Sequence, residues 1–210
     1  MVSIEEQLTK ALEELKKSKE RKFNQTVDLV INLQKFDVKK TPLNLFIKVP
    51  YKIKEKKIAA FLESKNNNVD TITADDFKKY SDKKELKKIA KKYDFFISQG
   101  SLMPKVATVF GKVLGPSGKM PSPQLGIILN ADEKSINEIK EKVNNSVKIK
   151  IKEPSIKLAI GKQNMKTQEI VENATTVYKE ILKNLPREKE NIKNLEIKFT
   201  MTKPIKIHIR

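Results

Sequence analysis

The sequence contains no cysteine, no tryptophan and a single histidine, His208. Without cysteine there is no disulfide, thiolate nucleophile or Cys-based metal site, and one histidine leaves little for a zinc site or a catalytic triad. No apolar run approaches the roughly 18 residues that a membrane span needs, and the start of the chain is acidic and amphipathic, unlike a signal peptide. We therefore expect a cytoplasmic protein that is not an enzyme and that has no cofactor, metal or membrane partner.

The charge is strongly positive. Lysine and arginine number 44 against 26 acidic residues, a formal net charge of +18, and arginine occurs only at positions 21, 187 and 210. A lysine ammonium is a mobile point charge, which suits phosphate contact better than bidentate reading of bases. The charge therefore predicts a polyanionic partner, RNA or DNA.

The two ends of the chain follow the periods of helices and half-buried strands. Ser3 and Glu6 form a capping box that begins a predicted helix over 3–17. Apolar residues alternate with polar ones from Val27 to Leu33, as in a strand with one buried face. The same alternation predicts further strands, at Leu43, Leu45, Ile47 and Val49; at Ile156, Leu158 and Ile160; at Leu195, Ile197 and Phe199; and at Ile205, Ile207 and Ile209. A second helix is predicted to begin at Thr167. Both ends predict an α+β domain with an antiparallel sheet.

The middle of the chain follows a different pattern. The segments IAAFL (58–62) and YDFFIS (93–98) are continuous apolar runs, as in strands buried on both faces, and a helical stretch, 74–92, separates them. This order predicts an α/β domain, 55–146, inserted into a discontinuous α+β domain made of 1–54 and 147–210. The inserted segment has a net charge of +5 and the two flanks together have +13.

A glycine- and proline-rich stretch, 100–126, contains five of the six glycines. It matches neither the phosphate-binding pattern G-x-x-x-x-G-K-[S/T] nor the dinucleotide pattern G-x-G-x-x-G. We interpret 115–126 as a rigid loop that follows a helix ending near Leu114, and 127–129 as a short strand.

Two pairs of carboxylates could be proposed for acid–base chemistry, Asp75 with Asp76 and Asp132 with Glu133. Both pairs stand where a predicted helix begins, and negative charge is favoured in a first helical turn. We therefore interpret them as capping residues. His208 falls on the outward face of a terminal strand, so we interpret it as an exposed residue.

Lysines alternate with apolar residues in VKIKIKEP (147–154). Lys148, Lys150 and Lys152 should form one basic stripe along a strand, opposite a buried face. Two interpretations stay open for this stripe, an ordinary solvated face or a contact with nucleic acid.

The segment LMPKVATVFGKVLGPSGKMPSPQ (102–124) resembles the signature of a large-subunit ribosomal protein of the mobile stalk, the L-one family, whose members carry a motif similar to LGPRGLMPNP. Shorter resemblances follow in family order at KFNQTVDL (22–29), GKQNMKTQEIVENA (161–174) and FTMTKP (199–204). The resemblance covers nearly the whole chain and is closer to archaeal and eukaryotic members than to bacterial ones.

This resemblance implies a split α+β domain that binds large-subunit rRNA and an inserted Rossmann-like, three-layer domain without a nucleotide. It further implies a stalk that moves as tRNA leaves the exit site, and repression of the protein's own mRNA. We expect a monomer when the protein is free of the ribosome. The RNA-binding residues implied by the resemblance or by charge are Lys22, Phe23, Thr26, Asp28, Lys148, Lys150, Lys152, Lys162, Thr200, Met201, Thr202 and Lys203.

Thr202 departs from the family pattern, which has glycine at that position. If the glycine serves a positive φ or a close backbone approach, threonine should weaken or reshape the contact. From the residues alone, core packing of Phe23 and Met201 is the alternative, whereas Thr26 and Thr200 offer hydroxyls suited to a ribose 2′-OH.

Two other functions remain as alternatives at this point. One is a nucleotide- or cofactor-dependent α/β enzyme acting on RNA, which the missing glycine motifs and the scarcity of His and Cys disfavour. The other is a protein that compacts DNA without sequence preference, which would bind duplex DNA and folded RNA equally well.

Overall fold

A computed structural model describes residues 3–19, 21–38, 44–80, 82–129, 132–151 and 153–208. The chain divides into two compact units by its internal contacts. The terminal unit comprises Met1–Lys54 and Asn145–Arg210, and the inserted unit comprises Glu55–Asn144.

In the described residues the helices are α1 (Ile4–Lys16), α2 (Lys83–Lys92), α3 (Met103–Ser117), α4 (Glu133–Asn144) and α5 (Thr167–Asn184). The strands are β1 (Thr26–Leu33), β2 (Asn44–Lys48), β3 (Ile58–Phe61), β4 (Asp70–Ile72), β5 (Phe95–Gln99), β6 (Ile127–Ile128), β7 (Ser146–Lys150), β8 (Ser155–Lys162), β9 (Ile192–Phe199) and β10 (Ile205–Ile207).

The terminal unit contains a four-stranded antiparallel sheet in the order β10-β9-β1-β8. Alternate residues of β1 are buried, as the period of two predicts, and they join the core formed with α1 and α5. Ser3 caps α1 by accepting a hydrogen bond from the Glu6 backbone N–H at 3.1 Å, which confirms the predicted helix start. The opposite sheet face carries the polar residues of β1, including Thr26 and Asp28.

A separate two-stranded ladder pairs β2 with β7, antiparallel. Ile47 and Ile149 are buried and join the core of the terminal unit. Because side chains alternate between faces, Phe46 and Lys148, which are directly paired, lie on the other face of the ladder. Leu43, Lys152 and Ile209 lie outside the described residues.

The inserted unit contains a parallel sheet in the order β4-β3-β5-β6. All four residues of β3 are buried, which confirms the prediction of a strand covered on both faces. Its core is rich in phenylalanine: the Phe61 ring lies 4.8 Å from that of Phe110 and 5.6 Å from that of Phe96, between centroids. The sheets are thus antiparallel in the terminal unit and parallel in the inserted unit.

The glycine- and proline-rich stretch departs from its prediction. Helix α3 continues through Gly115 and Pro116 to Ser117, and Gly118 ends it with a positive φ of 69°. A glycine adopts this left-handed conformation without the steric cost that a Cβ adds. The predicted loop 115–126 was therefore wrong over its first three residues, which are helical.

Other details also differ from the sequence prediction. The strand predicted over 127–129 ends at Ile128, and Leu129 is 86% exposed. The helical stretch predicted over 74–92 is a 3₁₀ helix, Ala74–Tyr80, followed by α2. Strand β4 was not predicted, because three residues are too few to establish a period.

Of the four carboxylates interpreted as capping groups, that of Asp76 makes the hydrogen bonds expected at the start of a helix. The Asp76 carboxylate accepts the Thr73 backbone N–H at 3.2 Å and its hydroxyl at 2.9 Å, and pairs with Lys79 at 2.7 Å. These bonds lower the pKa of Asp76 to about 2, with the Lys79 bond as the largest cause. Asp132 precedes α4, and its carbonyl accepts the Ile136 N–H.

In the described part of the chain, no group of three or more His, Asp or Glu side chains is placed to hold a metal ion. None of its helices combines the length and the apolar character that crossing a membrane requires. His208 is exposed, as predicted, and its backbone exchanges two hydrogen bonds with the Gln7 side chain.

Candidate nucleic-acid interface

Three turns of the terminal unit meet at one end of its four-stranded sheet. Strand pairing brings them together, because Thr26 at the start of β1 pairs with Lys162 at the end of β8, and Val27 pairs with Phe199 at the end of β9. We call the residues of these turns, 21–26, 162–166 and 200–203, the turn surface. The segment 21–26 thus shares one surface with two segments that lie more than a hundred residues further along the chain.

Thr26 and Thr200 join two of these turns. The Thr26 N–H donates to the Thr200 hydroxyl oxygen at 3.1 Å, and the Thr200 N–H donates to the Thr26 carbonyl at 3.1 Å. The Thr200 hydroxyl also donates to that carbonyl at 3.3 Å. Its one proton is therefore committed within the protein, and its remaining lone pair can accept a hydrogen bond from outside.

Gln25 is a buried residue of this surface that the sequence did not single out. Its side chain is 1% exposed, and its Oε1 accepts the backbone N–H of Met201 at 3.2 Å. Its Nε2 lies 3.4 Å from Gln163 Oε1, and its carbonyl accepts the Gln163 N–H at 2.9 Å. Gln25 therefore connects all three turns.

Thr202 closes the turn after β9. The Phe199 N–H donates to the Thr202 hydroxyl oxygen at 2.9 Å, and the Thr202 N–H donates to the Phe199 carbonyl at 3.2 Å. Thr202 does not have a positive φ; in the described chain the non-glycine residues that do are Lys35 and Glu188. Threonine thus fits this turn without backbone strain, and its side chain fastens the turn.

Two large apolar side chains project from the turn surface. Phe23 is 52% exposed and Met201 is 57% exposed, so neither is a core residue. Beside Phe23 is an open cavity of about 430 Å³ that is lined by Arg21, Lys22, Phe23, Asn24, Gln163 and Asn164. An exposed ring beside cations and amides suits stacking on a base and contact with phosphate and sugar.

Two lysines of the turn surface, Lys162 and Lys203, lie where strands β8 and β9 end. Lys162 lies at the end of β8, where its Nζ is 3.4 Å from the Thr26 hydroxyl oxygen. The preceding Gly161 follows a β-bulge, and a Cβ there would lie 2.9 Å from Ile170 Cγ1. The close approach of α5 thus requires glycine at this point. Lys203 is exposed in the turn that follows β9.

Asp28 lies next to the turn surface on the outward face of β1, paired with Lys198 of β9. Partial burial raises the pKa of the Asp28 carboxyl above its ordinary value, and the charge of Lys198 opposes this effect. A carboxylate here repels phosphates and can accept hydrogen bonds from sugar hydroxyls or base amines.

The structure separates the predicted RNA-binding residues into two places. Lys22, Phe23, Thr26, Lys162, Thr200, Met201, Thr202 and Lys203 are in the turn surface, and Asp28 is beside it. Lys148 and Lys150 lie on the β2–β7 ladder instead, and Lys152 lies outside the described residues. Lys148 and Lys150 line a cleft together with Ser155 of β8. Ser155 and Lys162 are at opposite ends of β8, so these two lysines lie at the other end of the sheet from the turn surface.

Five residues of the turn surface were not predicted from the sequence as site residues: Arg21, Asn24, Gln25, Gln163 and Asn164. Arg21 had a usable signal, since arginine is rare in this chain and stands directly before the KFNQ segment. The two glutamines had none, because their roles depend on turns that meet only through sheet register.

Comparison with known proteins gives one consistent result. The family model "Ribosomal protein L1p/L10e family" matches residues 15–203. Large ribosomal subunit protein uL1 of Nanoarchaeum equitans is 35% identical over 218 residues, which cover 99% of this chain and all of that protein. The same protein of Pyrobaculum arsenaticum is 38% identical, over 95% of this chain and 91% of that one, and that of Thermococcus kodakarensis is 32% identical, over 96% and 97%.

Proposed function

This chain belongs to the ribosomal protein L1p/L10e family, and we propose that its turn surface is where it holds large-subunit rRNA. The match over nearly the whole chain confirms the resemblance of the 102–124 signature. Members of this family are structural proteins of the large ribosomal subunit and not enzymes. The chain is accordingly a structural constituent of that subunit, in the cytoplasmic ribosome.

The observation that supports this assignment is the convergence of the three turns. The exposed Phe23 and Met201 stand among hydroxyls and lysines on a scaffold tied by the buried Gln25. Specific recognition of RNA uses stacking on unpaired bases and hydrogen bonds to the 2′-OH, and these groups supply both. Lysine then adds phosphate contact that does not depend on sequence.

The terminal unit is proposed as the RNA-binding domain, split in sequence by a Rossmann-like inserted domain. Its strands carry the turn surface, and the flanking segments hold most of the net charge. On the ribosome we propose that the protein belongs to the mobile stalk and assists release of tRNA from the exit site. An mRNA that presents the same fold as the rRNA site would compete for the turn surface, and this is the basis for proposing repression of the protein's own message.

The test is competition binding of the full chain to a folded stalk-rRNA fragment against duplex DNA at fixed salt. Met201→Asp sets a carboxylate where phosphates and sugars should lie, and Phe23→Ala removes the exposed ring. We expect each to weaken binding to the rRNA fragment about fivefold or more and to reduce the preference over duplex DNA. For Phe23→Ala, loss of one stacked base costs roughly 1–3 kcal/mol, which is about a 5- to 150-fold loss of affinity.

Lys179→Ala is a matched control, since Lys179 is an exposed lysine on α5. It removes one charge without touching the turn surface and should leave the preference for rRNA unchanged. Wild-type affinity of Met201→Asp and Phe23→Ala for the rRNA fragment, with unchanged melting temperatures, would show that RNA binds elsewhere.

A further inference from the structure

The outer face of the β2–β7 ladder combines an aromatic ring with several lysines, apart from the turn surface. Phe46 and Lys148 are directly paired across the ladder, and the Lys148 Nζ lies 5.0 Å from the centroid of the Phe46 ring. Lys150 is paired with Asn44 on the same face. The quadrupole of a neutral aromatic ring attracts a cation to the ring face, so the Phe46 ring favours a position of the Lys148 ammonium on this outer face of the ladder.

A cleft runs beside these lysines. It has a volume of about 350 Å³, and Lys148 and Lys150 of β7 line it together with Lys157 of β8. Glu153 is the acidic residue among the lining residues. Three lysines against one carboxylate give the cleft a positive field suited to an anion.

Lys148 and Lys150 are close enough for their positive charges to repel each other. Lys148 and Lys150 are alternate residues of one strand, so their Cα atoms are about 7 Å apart and their side chains share a face. Partial burial lowers the pKa of Lys148 below its ordinary value, and the charge of Lys150 lowers it further. A bound anion would relieve this repulsion.

We propose that this basic ladder, Phe46, Lys148, Lys150 and Lys157, is a second RNA-binding surface that grips the phosphodiester backbone of a strand extending from the turn surface. Lys148, Lys150 and Lys157 hold successive phosphates, and Phe46 is a positioning residue for Lys148. The inference rests on the proposed function for the identity of the RNA.

The spacing on β8 sets how far that strand must reach. Lys162 belongs to the turn surface and Lys157 to the cleft, and five residues of extended chain span about 17 Å. A short RNA that fills only the turn surface therefore does not touch the basic ladder. A longer RNA contacts both surfaces and gains affinity from the linkage.

The two surfaces should differ in what they recognise. The turn surface offers hydroxyls and exposed apolar side chains, which respond to the shape and sugars of the RNA. The basic ladder offers lysines, which respond to phosphate and not to base identity. The ladder should therefore contribute affinity and salt dependence with little sequence preference.

The experiment uses the full chain and two nested stalk-rRNA fragments. The short fragment is the smallest one that the wild-type chain still prefers over duplex DNA, and the long one extends beyond it at both ends. The variants are Lys148→Ala/Lys150→Ala, Phe46→Leu and the control Lys179→Ala. Hydroxyl-radical footprints on the long fragment are recorded beside the salt dependence of the dissociation constant.

We expect the double lysine variant to bind the short fragment within twofold of wild type and the long fragment several-fold more weakly. Its slope of log K against log salt on the long fragment should be smaller by about 0.7–0.9 for each lysine removed. Phe46→Leu keeps the charge and should give a smaller loss, on the long fragment only. In the hydroxyl-radical footprint of the long fragment, the double variant should lose protection at one set of nucleotides. Met201→Asp should lose protection at a different set.

Two results would overturn the inference. Equal weakening on both fragments would mean that these lysines serve the same RNA contact as the turn surface. No weakening on either would mean that RNA does not bind the ladder, as expected if its partner is an acidic protein.

If altered strand packing lowers the melting temperature of the double variant, Lys157→Ala, at an exposed position, replaces it. If Met201→Asp binds like wild type while the ladder variants still fail on long RNA, the proposed function is wrong about the turn surface and the ladder stands.

Discussion

The side chain of Gln25 holds the backbone of Met201: its Oε1 accepts the Met201 N–H at 3.2 Å from a position that is 1% exposed. A buried amide thus fixes the turn that presents an exposed methionine. The residue that positions the turn surface is itself shielded from any ligand, so its effect on RNA binding has to act through the conformation of Met201.

Replacing Gln25 with leucine tests this positioning. Gln25→Leu keeps a bulky side chain but leaves the Met201 N–H without its acceptor, which should lower the free energy of unfolding by about 1–3 kcal/mol. Affinity for the stalk-rRNA fragment should also fall, because the turn loses its anchor. Thermal melts and binding titrations measure the two effects, and the exposed neighbour Asn24, changed to alanine, should leave the melting temperature unchanged. A variant that melts earlier yet binds RNA like wild type would remove Gln25 from the positioning of Met201.

Thr200→Val separates a specific contact from the general charge. The change keeps the side-chain volume and removes the hydroxyl that bonds the Thr26 backbone, so a loss of roughly 1–3 kcal/mol is expected, shared between stability and RNA binding. No phosphate contact is removed, so the slope of log K against log salt should stay as in wild type. Thr200→Ser retains the hydroxyl and should restore affinity. Unchanged binding and melting of Thr200→Val would exclude this hydroxyl from the site.

The sequence predicted the elements whose residues follow a period, and it failed where tertiary geometry decides. The alternation from Val27 to Leu33 and the capping box at Ser3 correctly gave β1 and α1. Strand pairing could not be predicted from local patterns: the register between β1 and β8 joins Thr26 to Lys162, and the pairing of β7 with β2 places Lys148 on another surface. The role of Gln25 was missed for the same reason. Glycine and proline near 115 suggested a loop, but α3 continues to Ser117, and at its end the Gly118 and Lys119 N–H groups donate to the Gly115 and Leu114 carbonyls.

The raised pKa of Asp28 predicts a pH-dependent effect on stability. Burial disfavours the ionised carboxylate in the folded protein, so an ionised Asp28 reduces stability at neutral pH, and this cost disappears as the pH falls through the raised pKa. Asp28→Asn should therefore melt at a higher temperature than wild type at pH 7, and the difference should vanish below the ordinary pKa of about 3.9. Lys198→Gln should shift the Asp28 pKa further upward, because it removes the opposing charge. Equal melting temperatures of wild type and Asp28→Asn at pH 7 would contradict the assignment.

Lys119 should stabilise the inserted unit without taking part in RNA binding. Its Nζ donates to the Ala90 carbonyl at 2.7 Å and the Tyr93 carbonyl at 2.8 Å, at the C-terminal end of α2, where helix carbonyls lack partners and the helix dipole favours a cation. Lys119→Met removes both bonds and should lower the free energy of unfolding by about 1.5–3 kcal/mol, the range for hydrogen bonds to charged groups. Lys112→Met, at an exposed position of α3, removes the same charge and should have little effect on melting. Because Lys119 lies in the inserted unit, RNA affinity at temperatures well below melting should match that of Lys112→Met. A Lys119 variant that melts normally but binds RNA more weakly would show that this lysine contacts RNA and does not cap the helix.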